Sequence, residues 1–134
     1  YNGGSVKGKN MFIVDDMIAS GSSILDTARR LKAKGATNIY FVASFCLFTN
    51  GIEMFDKAYE EKLFKAIYTT NATYIPEEYK KRPYLKVVDI SPYIAEVIEA
   101  MNRGESISDL LDGRDKKLVL VHEVNQRKGK RTNK

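Results

Sequence analysis

Met11-Phe-Ile-Val-Asp-Asp-Met-Ile-Ala-Ser-Gly-Ser-Ser-Ile-Leu25 is the stretch that decides the fold. Its first four residues are a continuous apolar run with aromatic and β-branched members, which reads as a strand buried on both faces. The run stops at two carboxylates, Asp15 and Asp16. After Met17, Ile18 and Ala19 comes the small-residue loop Ser20-Gly-Ser-Ser23, and then Ile24, Leu25, Ala28 and Leu31 recur at helical spacing. Lys34 and Gly35 supply the cation and the left-handed stop that close such a helix. Ile39-Tyr-Phe-Val-Ala43 is a second apolar run, so strand, loop, helix and strand follow in order. That order is a βαβ unit and implies a parallel sheet.

The pattern continues outward from this unit. Thr49-Asn-Gly51 is a turn, and Ile52 to Leu63 reads as a helix with Ile52, Phe55, Ala58 and Tyr59 on one face. Ala66-Ile-Tyr-Thr-Thr70 and Leu85-Lys-Val-Val-Asp89 read as strands, separated by the Pro-containing stretch from Tyr74 to Pro83. Ser91 is a suitable N-cap for a helix starting at Pro92, with Ile94, Val97, Ile98 and Met101 on its core face. Ser106 is placed to cap a last helical turn through Leu111, and Leu118 to Val124 reads as a final strand. The expected fold is α/β, an open and mainly parallel sheet with flanking helices. One domain is expected over residues 1–125, followed by a basic, flexible tail over 126–134.

The 134 residues carry a net charge of +5, but the distribution removes most of its meaning. Arg127, Lys128, Lys130, Arg131 and Lys134 lie in a tail without acids, and discounting them leaves 17 basic residues against 17 acids. The tail is polar and shows no apolar periodicity or interleaved aromatics, so a nucleic-acid partner is not expected. No apolar run approaches the roughly 20 residues that cross a bilayer, so no membrane partner is expected either. The single cysteine, Cys46, excludes an internal disulfide and suits a reducing cytoplasm. Within Phe41-Val-Ala-Ser-Phe-Cys-Leu-Phe48 it reads as a buried thiol rather than a nucleophile. His122 is the only histidine and reads as a strand residue, which with one cysteine leaves no metal cluster. Tyr1 opens the chain without an initiating Met or a signal pattern, as expected for a piece of something longer.

The chemistry is expected at the end of the first strand. Backbone N–H groups at a helix start present donors and a positive dipole end, which together make an anion site. Ser20, Ser22 and Ser23 add hydroxyls, and Gly21 removes the Cβ that would keep a phosphate away. Asp15 and Asp16 would repel that phosphate, yet they accept hydrogen bonds well from neutral hydroxyls further along a ligand. A sugar phosphate has both ends. Crevices beyond the carboxyl ends of parallel strands are also where open α/β sheets bind ligands. No Gly-Lys-Ser/Thr ending follows, so the loop is not a Walker loop.

Apolar strand, paired Asp and Ser/Gly loop together resemble the signature loop of type I phosphoribosyltransferases and, more closely, of phosphoribosyl pyrophosphate (PRPP) synthetases. Val6-Lys-Gly-Lys9, Leu47-Phe-Thr-Asn-Gly51, Tyr68-Thr-Thr-Asn71, Asp89-Ile-Ser91 and Asn102-Arg-Gly-Glu-Ser-Ile-Ser108 resemble further segments of the synthetases in the same order. The resemblance covers residues 6–111 and implies a type I phosphoribosyltransferase-like fold. It implies the ribose 5-phosphate-binding, carboxy-terminal half of a ribose-phosphate diphosphokinase, which moves the pyrophosphoryl group of ATP to the sugar's 1-hydroxyl.

By that resemblance Asp15 and Asp16 hold the ribose hydroxyls, while Ala19, Ser20, Gly21, Ser22 and Ser23 line the 5-phosphate. Ser106 and Ser108 match positions that bind a regulatory phosphate between subunits in some members, which implies a homo-oligomer. The resemblance also implies Mg²⁺ as cofactor. Its ligands, the catalytic loop and most of the ATP site lie upstream of the segment matching Val6. No catalytic residue is therefore expected here, and the chain alone is expected to bind sugar phosphate without making PRPP. Ala19, Ser20 and Ser23 replace an acid and two threonines common in the family, and Phe45-Cys46 replaces a common His-Gly. A transferase that consumes PRPP and a non-catalytic, regulatory synthetase-like subunit remain as alternatives.

Overall fold

The computed structural model of the protein describes residues 4–111. The chain divides between Ile90 and Ser91 into two compact units. In the first unit the order is β1 (Asn10–Ile18), α1 (Ser22–Ala33), β2 (Asn38–Cys46), α2 (Glu53–Glu60), β3 (Ala66–Thr70), α3 (Glu77–Lys80) and β4 (Leu85–Val88). The four strands form one parallel sheet in the order β1-β2-β3-β4. The α/β architecture with an open parallel sheet and flanking helices is therefore the one expected. The proposed strand Leu118–Val124, His122 and the basic tail lie outside the described residues.

β1 differs from expectation in two ways. It does not stop at its acids but runs through them, because β2 continues beside it: Asp15 pairs with Ala43, Met17 with Phe45 and Ile18 with Cys46. Ladder pairing outweighs the weak strand preference of aspartate. Nor is β1 buried on both faces, since Phe12 is 61% and Val14 is 74% exposed while Met11 and Ile13 pack against the core. The strand order explains this. Every crossover steps the same way along the sheet, and right-handed crossovers then place successive helices on one face. The opposite face keeps Phe12 stacked on Tyr40 at 4.9 Å between ring centres.

The helix-covered face is a single apolar cluster. Ile24, Leu25 and Ala28 of α1 and Phe55 and Ala58 of α2 meet Ile39, Phe41, Ala43, Ile67 and Leu85 from the strands. α2 is shorter than the stretch Ile52 to Leu63: it ends at Glu60, Lys62 enters the left-handed region at φ 57°, and the Leu63 N–H donates to the Ala58 carbonyl. The expected face is buried, with Ile52, Phe55 and Ala58 almost wholly excluded from solvent.

A polar clamp ties α2 to the entry of β4. Asp56 accepts two hydrogen bonds from Arg82, at 3.3 and 3.2 Å, and one from the Tyr84 hydroxyl at 2.5 Å. Burial alone would raise the Asp56 pKa, but the bonds from Arg82 and Tyr84 outweigh it and hold the carboxyl below its usual range. A depressed carboxyl contributes its stability above the unfolded pKa of about 3.9 and loses it as pH falls through the folded value. Burial, followed by the bond to Asp56, pushes the Tyr84 hydroxyl upward, so it remains a donor at neutral pH. Tyr84→Phe is expected to lower stability by about 1 kcal/mol, measured by urea denaturation at pH 7.

The second unit contains α4 (Ser91–Asn102) and α5 (Ser108–Leu111). Ile94, Ile98 and Met101 share a stripe as the spacing predicts, but they are exposed, and Ala100 is the buried residue of α4. Periodicity identifies which residues share a face, whereas burial needs a surface against that face. The Ser108 N–H donates to Ser106 Oγ at 3.3 Å at the start of α5, from two residues before its first helical residue.

Candidate functional site

The carboxyl end of β1 delivers Asp15 and Asp16, both exposed, and four residues later the chain turns into α1. Gly21 makes that turn at φ 94°, in the left-handed region, and its carbonyl accepts the first helical bond from the Leu25 N–H at 3.0 Å. No side chain caps α1. The first N–H groups of a helix have no intrahelical partner, so those of the first turn here point toward the loop as donors. The Ser20 hydroxyl is 3.4 Å from both the Ser22 N–H and the Ser22 hydroxyl. Contacts of that length are weak, and an anion would displace them at little cost.

Backbone bonds from the next strand's loop hold this turn in place. The Leu47 N–H donates to the Ile18 carbonyl at 2.9 Å, and the Thr49 N–H donates to the Ala19 carbonyl at 3.0 Å. The result is a pocket of about 150 Å³ lined by Asp15, Met17, Ile18, Ala19, Ser20, Gly21, Ser23 and Ile24. Of the residues expected to bind sugar phosphate, it brings together Asp15, Ala19, Ser20, Gly21 and Ser23. Asp16 and Ser22 adjoin it in sequence but do not line it. Asp15 also accepts a hydrogen bond from the Asp16 N–H at 2.9 Å, which orients its carboxylate. Ser106 and Ser108 belong to the second unit, where their hydroxyls stand 3.1 Å apart.

The need for glycine at position 21 has a further cause. A Cβ there would overlap the Cζ and Cε2 atoms of Phe55, so the missing side chain makes room for a ring of α2. Sequence reading had no route to that contact. It also left unconnected the two later segments that meet at the same end of the sheet. Asn71 donates to the Asp89 carboxylate at 2.6 Å and accepts from the Ile90 N–H at 2.9 Å. Thr70 donates to the Ser44 carbonyl at 2.8 Å and accepts from the Ala72 N–H. The only available signal was position, since both segments follow strands.

Cys46 is 1% exposed, and burial pushes its thiol pKa up, with the Thr69 hydroxyl offsetting part of the rise. A thiol kept protonated and buried is inert. Alkylation by iodoacetamide at pH 8, followed by mass spectrometry, is expected to modify Cys46 only after denaturant is added.

Residues 3–112 match the family described as phosphoribosyl synthetase-associated domain. The ribose-phosphate pyrophosphokinase of Mycoplasmopsis pulmonis is 34% identical over 107 residues, which are 80% of this chain and 32% of that protein. That of Ureaplasma parvum is 29% identical over 124 residues, covering 90% of this chain and 36% of the relative. The crystal structure of phosphoribosylpyrophosphate synthetase from Mycobacterium smegmatis superposes with a TM-score of 0.65 at 30% identity, over 75% of this chain and 33% of that one. This chain thus spans about a third of the length of the relatives it matches.

Proposed function

Because the chain belongs to the phosphoribosyl synthetase family, we propose that it forms the ribose 5-phosphate-binding part of a ribose-phosphate diphosphokinase that makes PRPP for nucleotide biosynthesis. The observation that carries this reading is the pocket itself: it sets a carboxylate, Asp15, beside a helix start furnished with Ser20, Gly21 and Ser23. The backbone N–H groups and serine hydroxyls of residues 19–23 would hold the 5-phosphate. Asp15 and Asp16 would accept hydrogen bonds from the ribose hydroxyls, leaving the 1-hydroxyl to lose its proton and attack the β-phosphorus of ATP as the bond between the α- and β-phosphates breaks and AMP departs.

In this reading residues 1–125 are one phosphoribosyltransferase-like domain of a cytoplasmic homo-oligomer, and Ser106 with Ser108 contact a regulatory phosphate. No helix among the described residues is long and apolar enough to cross a membrane. Among the described residues no group of three His, Cys, Asp or Glu side chains is placed to hold a metal. By the resemblance to the synthetases, the Mg²⁺ ligands and most of the ATP site are assigned mainly to the rest of the enzyme, and the chain alone is expected to bind sugar phosphate without turnover. A transferase consuming PRPP would use the same loop. The match through residue 112 favours the synthetase, because it includes Asn102 to Ser108.

Titration calorimetry of the chain with ribose 5-phosphate, ribose and inorganic phosphate tests the reading. Simultaneous use of both pocket ends should make ribose 5-phosphate bind at least about tenfold more tightly than either fragment. Equal affinity for phosphate and ribose 5-phosphate would reject the role given to the carboxylates.

A further inference from the structure

We infer that Phe55, on α2, is a positioning residue for the phosphate loop, its ring serving as the floor on which Gly21 rests. The ring is fully buried, and its Cζ and Cε2 atoms occupy the space that a Cβ on Gly21 would fill, with Cε1 3.2 Å from that point. The loop therefore cannot sink toward the sheet without displacing the ring, and it loses its support if the ring is removed.

The ring is itself braced. Phe48 packs on it edge to face, with centres 5.3 Å apart and planes at 86°, and Phe64 does so at 6.4 Å and 84°. Phe48 stands at φ 48°, a left-handed conformation that is costly for an aromatic residue and persists only where the surroundings impose it. Its neighbours Leu47 and Thr49 are the two residues whose N–H groups hold the carbonyls of Ile18 and Ala19. One tight turn thus serves both supports of the loop: backbone bonds at Ile18 and Ala19, and a braced ring at Gly21. Ser22 and Ser23 stay exposed at the helix start between these anchors and solvent.

Donors organised before a ligand arrives bind it more tightly than donors that must first be ordered, and small misplacements are expensive. The geometry stands alone, while its consequence for affinity rests on the sugar-phosphate reading given above. Two readouts on the 134-residue chain separate them. Phe55→Leu is compared with Phe41→Leu, which alters an equally buried ring that contacts Phe64.

In the ligand-free protein, amide hydrogen exchange at Leu25 and Thr49 is expected to quicken about tenfold in Phe55→Leu and less than about twofold in Phe41→Leu. Ribose 5-phosphate affinity, by calorimetry, is expected to fall about tenfold in the first variant and to hold within about twofold in the second, although both lose thermal stability. Equal exchange in the two variants would overturn the inference. Unaltered exchange differences with no binding by the wild-type chain would instead reject the sugar-phosphate reading and leave the prop in place. A double-mutant cycle provides a check that does not depend on ligand. Gly21→Ala should cost measurably less in the Phe55→Leu background, and strict additivity would contradict the contact. Should Phe55→Leu fail to fold, Phe55→Met removes the ring while keeping most of its volume and is read the same way.

Discussion

Gly21→Ala is expected to destabilise the protein by about 2–6 kcal/mol, a large share of the stability of a domain this size. Two costs add. Holding alanine at φ 94° costs about 1–3 kcal/mol. Forcing its Cβ into the ring of Phe55, in a close-packed core, costs about 1–3 kcal/mol more. Gly8 provides the control, because it also has positive φ, 75°, but a Cβ there meets nothing within 4 Å. Gly8→Ala should therefore show the backbone cost alone. Thermal melts followed by circular dichroism are expected to show a fall of about 8–20 °C for Gly21→Ala and no more than about half of that for Gly8→Ala. Equal shifts would mean that Phe55 yields freely and that only backbone strain matters at position 21.

Asp15→Asn is expected to weaken ribose 5-phosphate binding about five- to tenfold while leaving the fold intact. The substitution keeps the size of the side chain and a carbonyl oxygen for the Asp16 N–H, now 2.9 Å from Asp15, so the strand end has no reason to rearrange. What it removes is the negative charge. Hydrogen bonds to a charged acceptor contribute about 1.5–3 kcal/mol, against about 0.5–1.5 kcal/mol for neutral pairs. Asp16→Asn should weaken binding less, because Asp16 does not line the pocket. Calorimetry at constant ionic strength checks both variants. A larger loss for Asp16→Asn would place the ribose on the other side of the strand end.

The parts of this site that were legible in the sequence are those built from neighbours along the chain. Asp15 through Ser23 form one strand end, one turn and one helix start, so residue types and order alone set the carboxylates beside a small-residue turn into a helix. The framework followed from the same local logic, since Ile24, Leu25 and Ala28 share a helical face and Ile39 to Ala43 form one apolar run, although only the structure shows that Ile39, Phe41 and Ala43 of it face the core. What escaped depends on partners distant in sequence. The length of β1 was set by Phe45 and Cys46 opposite Met17 and Ile18, which no property of Asp15 and Asp16 announces. The exposure of Phe12 and Val14 follows from the direction of the crossovers, which an apolar run does not record. The Asp56 clamp on Arg82 and Tyr84, and the ring of Phe55 beneath Gly21, join segments that only the closed sheet brings together. Even the reason for Gly21 was legible only in part, because the approach of the Phe55 ring from the core has no signal among its neighbours along the chain.

The central claim is that the turn from β1 into α1 binds the 5-phosphate end of a ribose phosphate. Amide chemical shifts of the isotope-labelled chain, recorded as ribose 5-phosphate is added, test this most directly because they locate the ligand residue by residue. The account predicts saturable shifts concentrated at the amides of residues 19–25, with smaller ones at Leu47 and Thr49, and their loss at the same ligand concentration in Asp15→Asn. Saturable shifts centred elsewhere, at Ser106 and Ser108 for example, or none at millimolar ligand, would contradict it.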